Sequence, residues 1–294
     1  MRRKIVFLGI IVSLFIFSSA CAPGALNEDP AAQYYPTYTA IAQGLLDLAS
    51  TATARAGGEQ LATATQVPTL PSTATNQPMA TGTPVPEPSF TLVPESGTAN
   101  SLDEGGSTRY EDYDARFKIV IPAGWLSVRL NSEEFYAALG DEAANDQQLM
   151  RAMTTSQNYD PNVLRLVAYD IKPEHRETDF MTNMNITWDT TISDPLDKIL
   201  ADTPVAMKQS IAGINILSTE LIALGEGNIP AGSIKAQWQA KTFAGAVVDM
   251  IQEIVFFSVP QGTVFITLTT SLPSRDRVEP DFDAMIQTLE LFEK

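Results

Sequence analysis

GSIKAQWQAKTF (residues 232–243), MIQEIVFFSV (250–259) and VFITLTT (264–270) decide the fold. In the first, Ile234, Ala236, Trp238 and Ala240 alternate with Lys235, Gln237, Gln239 and Lys241. A period of two places successive side chains on opposite faces of a strand. The second is apolar on both faces around a lone acid, Glu253, which marks a central strand. Pro260-Gln-Gly262 then turns into the third. Strands this close in sequence have no room for crossover helices, so the sheet is expected to be antiparallel.

Further strands are expected upstream at 214–224, 181–189, 164–171 and 116–121. In 181–189, Thr182, Met184, Ile186 and Trp188 alternate with Asn183, Asn185, Thr187 and Asp189, the pattern of a half-buried strand. Helices fall between and after the strands. One is capped by Ser132, carries Phe135, Leu139, Leu149, Met150 and Met153, and breaks near Gly140. Another starts at Asp194-Pro195 with Pro204 as a kink or a second start, and a last one, capped near Asp281, carries Phe282, Met285, Ile286 and Leu289. The expected class is α+β, with an antiparallel sheet of about six to seven strands covered by helices as an α/β/α sandwich. It occupies residues 108–294 behind a disordered tether.

The start of this region, Phe117-Lys-Ile-Val-Ile-Pro-Ala-Gly-Trp125, resembles the F-x-I-x-x-P-x-G-W opening of the PsbP-like family. Its ending, long antiparallel strands before a helix carrying Phe282, is similar as well. That family includes the extrinsic subunit of photosystem II, a Ran-binding relative and bacterial envelope lipoproteins. The resemblance implies a binding or accessory role, with Trp125 as a packing residue beneath the sheet.

The chain begins with Arg2, Arg3 and Lys4. Thirteen residues, Ile5 to Phe17, form an apolar stretch, and Ser18-Ser19-Ala20 lead into Cys21, the single cysteine. This is a signal peptide, and its apolar stretch spans roughly 20 Å as a helix, short of the ~30 Å hydrocarbon core. The placement of Cys21 resembles that of the acylated cysteine of bacterial lipoproteins, although Ser18 stands where leucine is usual. Residues 1–21 are thus expected to be a lipoprotein signal ending at lipidated Cys21. In 22–61, Tyr38, Ile41, Leu45, Leu48 and Ala52 mark a weakly amphipathic helix. In 62–107, prolines at 68, 71, 78, 84, 86, 88 and 94 and a high threonine content break any regular period, as in a disordered linker.

Residues 108–294 hold 27 acids against 15 bases. This sign argues against nucleic acid and anionic lipid head groups as partners. With no cysteine beyond Cys21, the domain has no disulfide and no thiol nucleophile. Its single histidine, His175, stands with Glu174, Glu177 and Asp179 in a run that could ligate a divalent metal. The spacing matches no established loop, and Lys172 and Arg176 compete for the carboxylates, so a solvated charged loop is expected, with no metal and no other cofactor. No Gly-x-Ser-x-Gly elbow is present, and Glu253 is the one acid to inspect for carboxylate chemistry.

The expectation is a non-enzymatic, extracytoplasmic module, lipid-anchored in the cell membrane, that binds another envelope protein. The alternative is a carrier of a small apolar ligand or lipid, held near Trp188 and Trp238.

Overall fold

The computed structural model describes residues 96–242 and 245–292. Cys21, the signal segment, the amphipathic stripe and the linker as far as residue 95 lie outside them.

In chain order, β1 (Thr98–Leu102), β2 (Thr108–Asp112), β3 (Phe117–Ile121) and β4 (Trp125–Val128) lead into α1 (Glu133–Gly140) and α2 (Gln147–Ser156). Next come β5 (Leu164–Asp170), β6 (Asn183–Asp189), α3 (Leu196–Ser210) and β7 (Asn215–Leu224). The chain continues through β8 (Ile229–Lys241), β9 (Val247–Val259), β10 (Gly262–Ser271), α4 (Arg275–Gln287) and β11 (Glu290–Leu291). The sheets are antiparallel, as expected. A seven-stranded sheet runs β4-β5-β6-β10-β9-β8-β7, with β9 inside it as its two apolar faces imply.

The strand at 117–121 is not in that sheet. With β1, β2 and β11 it forms a second, four-stranded sheet. The boundary at 108 therefore moves: residues 98–102, assigned by sequence to the linker, pair in register with β2. Their composition (TANSL) is too polar to read as a strand, and pairing supplied by neighbouring chain decides the outcome.

The small sheet and α4 cover one face of the large sheet. Tyr110, Phe117, Ile119 and Ile121 meet Leu166, Ile186, Val255, Phe257 and Ile266, and Val278, Phe282 and Met285 of α4 complete the cluster. Phe117 meets Phe257 edge-on, with ring centroids 5.6 Å apart. Helices cover the other face in two separate groups. α1 and α2 place Phe135, Leu149 and Met153 over Val167 and Tyr169. α3 places Ile199 and Met207 with Ile234, Trp238, Met250 and Phe256.

β6 departs from its half-buried reading, because all seven of its residues are buried. Asn183, Asn185 and Thr187 face the helical layer instead of water, since both faces of this central strand are covered. Of the two readings offered for Pro204, the second helix start is ruled out, because Pro204 lies inside a single helix. The last helix reading shifts: α4 begins at Arg275 with Pro280 inside it, so Asp281 is a mid-helix residue and not a cap. Ser132 does cap α1, accepting from Phe135 N at 3.2 Å.

Candidate functional site

The run holding the metal candidates is strapped to its surroundings. His175 Nδ1 lies 2.6 Å from Asp170 Oδ2 at the end of β5. Glu174 is exposed, and its carbonyl accepts from Arg277 Nη1 of α4 at 2.6 Å. Glu177 pairs with the same Arg277, and Arg176 pairs with Asp146, the cap of α2. Asp179 is half-buried in the same crossing segment. Lys172 Nζ reaches Asp281 Oδ2 at 2.5 Å, and Trp125 Nε1 donates to that oxygen at 2.9 Å. Trp125 is accordingly buried in the core beneath the sheet. Burial pushes the Asp170 carboxyl above its ordinary pKa, and the His175 ring and the Lys172 N–H offset only part of that. Among the described residues, no group of three or more His, Cys, Asp or Glu side chains converges to hold a metal. The segment is a tie between β5, α2 and α4.

Glu253 sits on the face toward the small sheet, 3.1 Å from Lys235 Nζ, and accepts from Ser233 Oγ at 3.2 Å. Lys235 also reaches Glu279 of α4 at 3.3 Å. Burial raises the Glu253 pKa, and Lys235 and Ser233 pull it back only partly. This is a cross-strand ion pair in which Lys235 bridges Glu253 and Glu279, and Asp283 of α4 adds to the raising of the Glu253 pKa.

Sequence reasoning missed a buried clamp. β5 carries a bulge between Leu164 and Leu166, and Arg165 is its extra residue. The guanidinium leaves the sheet to meet Asp112 through Nε (2.8 Å) and Nη2 (3.1 Å), and Asp114 at 2.6 Å. It also lies over the Trp188 ring, 5.3 Å from the centroid. A basic residue among apolar neighbours in a central strand was the signal available.

The two tryptophans named for an apolar ligand do not share a site. Trp188 packs on the face toward the small sheet, its Nε1 donating to Gln261 O at 2.9 Å, whereas Trp238 packs under α3 on the opposite face.

The exposed feature is the β7 edge. The two edges of the seven-stranded sheet are treated differently. β4 has four residues and is covered: Asn100 of β1 donates to Ser127 O at 3.5 Å and to Glu134 at 3.3 Å, and Arg129 donates to Thr98 O. β7 has ten residues and pairs, among the described residues, with β8 alone. A bulge at Leu217 twists its first part, a common protection of free edges. Ser218–Leu224 remains regular, free of proline, and carries the single charge Glu220. Leu217 and Leu221 are 44% and 61% exposed. The sequence reading expected this strand at 214–224, but strand order is set by contacts far apart in the chain and could not place it at an edge.

No family model matches the chain, and no curated protein matches it in sequence at a significant score. In fold it is similar to solved structures at very low identity. Cyanobacterial PsbP of Synechocystis is 10% identical, the match covers 69% of this chain and 98% of that one, and the TM-score is 0.36. The Saccharomyces cerevisiae Ran-binding protein Mog1p is 10% identical over 66% of this chain and 97% of its own, with a TM-score of 0.39. LpqN, involved in cell envelope biogenesis of Mycobacterium tuberculosis, is 9% identical over 67% of this chain and 91% of its own, with a TM-score of 0.36.

Proposed function

We propose that the protein is a non-catalytic binding module of the cell envelope, anchored outside the cytoplasm by lipid on Cys21. Its domain engages an extended segment of another envelope protein along β7. The observation that carries this reading is the ten-residue β7 edge, which among the described residues pairs with β8 alone. The chain enters through β1, beside the covered β4 edge, and the open β7 edge lies six strand spacings away, roughly 29 Å across the sheet. An added strand would take main-chain hydrogen bonds from Ser218–Leu224 and pack side chains beside Leu221.

The test is a photo-crosslinker at Leu221 in intact cells, with an equivalent probe at Tyr136 on α1 as control. The expected product is one discrete adduct from Leu221 alone, identified as an envelope protein. Its purified form should bind the full chain, and Leu221→Lys should lose that binding. Capture of only a second copy of this chain, or equal capture from both positions, refutes the reading. For the anchor, mass spectrometry of the mature N-terminus should find acylated Cys21, and Cys21→Ser should release the protein from membranes. An unmodified N-terminus refutes it.

A further inference from the structure

On the face of the large sheet that carries the helices, a polar island interrupts the core. In three adjacent strands, Asn183 of β6 lies beside Thr269 of β10, Thr269 in turn beside Gln252 of β9, and Asn185 lies beside Thr267. Thr187 and Asp189 extend the β6 column. All of these are at most 4% exposed. Some of their polar atoms serve one another: Asn183 Nδ2 donates to Met181 O at 3.0 Å, Asn185 Nδ2 to Asn183 Oδ1 at 3.1 Å, and Gln252 Nε2 to Thr269 Oγ1 at 3.1 Å. Asn185 Oδ1, Gln252 Oε1, Thr187 Oγ1 and Thr267 Oγ1 are buried without a hydrogen-bond partner. Asp189 accepts from Thr191 through Oδ1, while its Oδ2 is likewise unpartnered.

Apolar side chains surround the island. The island spans about 10 Å across the strands and about 20 Å along β6. Tyr169 and Val167 flank it on β5, with Ile254, Phe256 and Phe265 on the other side. It lies between the two separate hydrophobic clusters of that face, one built on α1 and α2 and the other on α3. The crossing segment divides between them, with Phe180 in the α3 cluster and Met181 in the other.

We infer that this island is a binding site for a small, neutral, polyhydroxylated molecule, of the size of a hexose or cyclitol. Unpartnered carbonyl and carboxylate oxygens call for a ligand rich in donors, and the two hydroxyls can donate or accept as the ligand requires. No cation belongs to the set, which disfavours phosphates and carboxylates. Aromatic and aliphatic neighbours supply the apolar walls against which a few placed polar groups orient a ligand.

Titration of the isotope-labelled full chain, bearing Cys21→Ser for solubility, with D-glucose, myo-inositol and N-acetyl-D-glucosamine tests this by NMR. At least one probe should shift the side-chain amide signals of Asn185 and Gln252 saturably, with a Kd of about 1 mM or tighter. Thr267→Val and Thr187→Val should each weaken that binding at least tenfold while the backbone amide spectrum shows an intact fold. If no probe shifts those amides, or if the valine variants bind as well as the parent, the inference is overturned. Loss of fold in one variant leaves the other, and the titration of the parent chain, to decide.

Discussion

Arg165→Met is the sharpest perturbation of this fold. Asp112 is fully buried, and besides Arg165 it accepts from Tyr110 OH at 3.1 Å and from the Asp114 and Ala115 N–H groups. Methionine fills much of the arginine stem but leaves this carboxylate in the core without its cation. Breaking a buried pair in this way costs about 3–5 kcal/mol. The partly exposed Asp114 contact adds at most ~1 kcal/mol. Loss of the guanidinium over Trp188 adds about 0.5–2 kcal/mol. These terms overlap, so the expected total is about 4 kcal/mol. In a domain of this size that lowers Tm by roughly 8–16 °C. Urea unfolding of the Cys21→Ser chain measures it, followed through the tryptophans. Asp112→Asn should also destabilise, while adding it to Arg165→Met should recover part of the loss, because the stranded charge is then gone. A cost below about 1 kcal/mol for Arg165→Met, or single-variant costs that simply add in the double variant, would refute the clamp.

Three further outcomes follow from particular contacts. A Cβ on Gly232 would fall 2.2 Å from the buried Phe256 ring, so Gly232→Ala should cost about 1–3 kcal/mol in a denaturant melt, and Phe256→Leu should relieve it. Asp146 caps α2 and pairs with Arg176. Burial pushes its pKa up, but the Leu149 N–H, Arg176 and the Gln148 N–H outweigh that and leave it below its ordinary 3.8. Its stabilising share is therefore present above that value and lost as pH falls through the lower folded pKa, and Asp146→Asn should flatten the acid limb of a stability–pH curve. Glu253 has the opposite sign. With its folded pKa above 4.5, it contributes stability below that value that is lost as pH rises through the folded pKa, so Glu253→Gln should remove this decline.

Where one face of a segment was buried and the other wet, the sequence was legible. The alternation at Ile234, Ala236, Trp238 and Ala240 and the doubly apolar run of β9 fix two neighbouring strands, because period two admits no other element. The same logic misled at β6. Asn183, Asn185 and Thr187 read as water-facing, yet a second layer covers them, and single-strand patterning holds no information about which neighbours arrive. β1 and β2 escaped notice for a related reason, being short, polar and completed only by pairing with β3. Of the site residues, the charged run 174–179 was visible as a cluster of titratable side chains, but its ties to Asp170, Asp146 and Arg277 depend on elements as many as 103 residues away. Arg165 is the counterpart: a charge inside an apolar strand signals a partner, and the identity of that partner lies 53 residues upstream.

The two faces of the large sheet carry their buried polar groups differently. Toward the small sheet, Asp112, Arg165, Lys235 and Glu253 stand in ion pairs, with Glu253 Oε2 left without a hydrogen bond. Toward the helices, Asn185, Thr187, Gln252 and Thr267 each keep an unpartnered atom. Each such atom left dry would cost about 1–3 kcal/mol, a cost that enclosed water or a ligand removes by hydrogen-bonding to the island. The two fillings differ in what Thr267→Val does to stability. If water bridges the island as permanent structure, valine removes one of its partners and the Tm falls. If the island is kept for a ligand, valine relieves an unmet hydrogen bond, and the ligand-free protein gains stability as it loses binding. The ligand reading therefore requires a rise in the Tm of ligand-free Thr267→Val, and a fall would count against it.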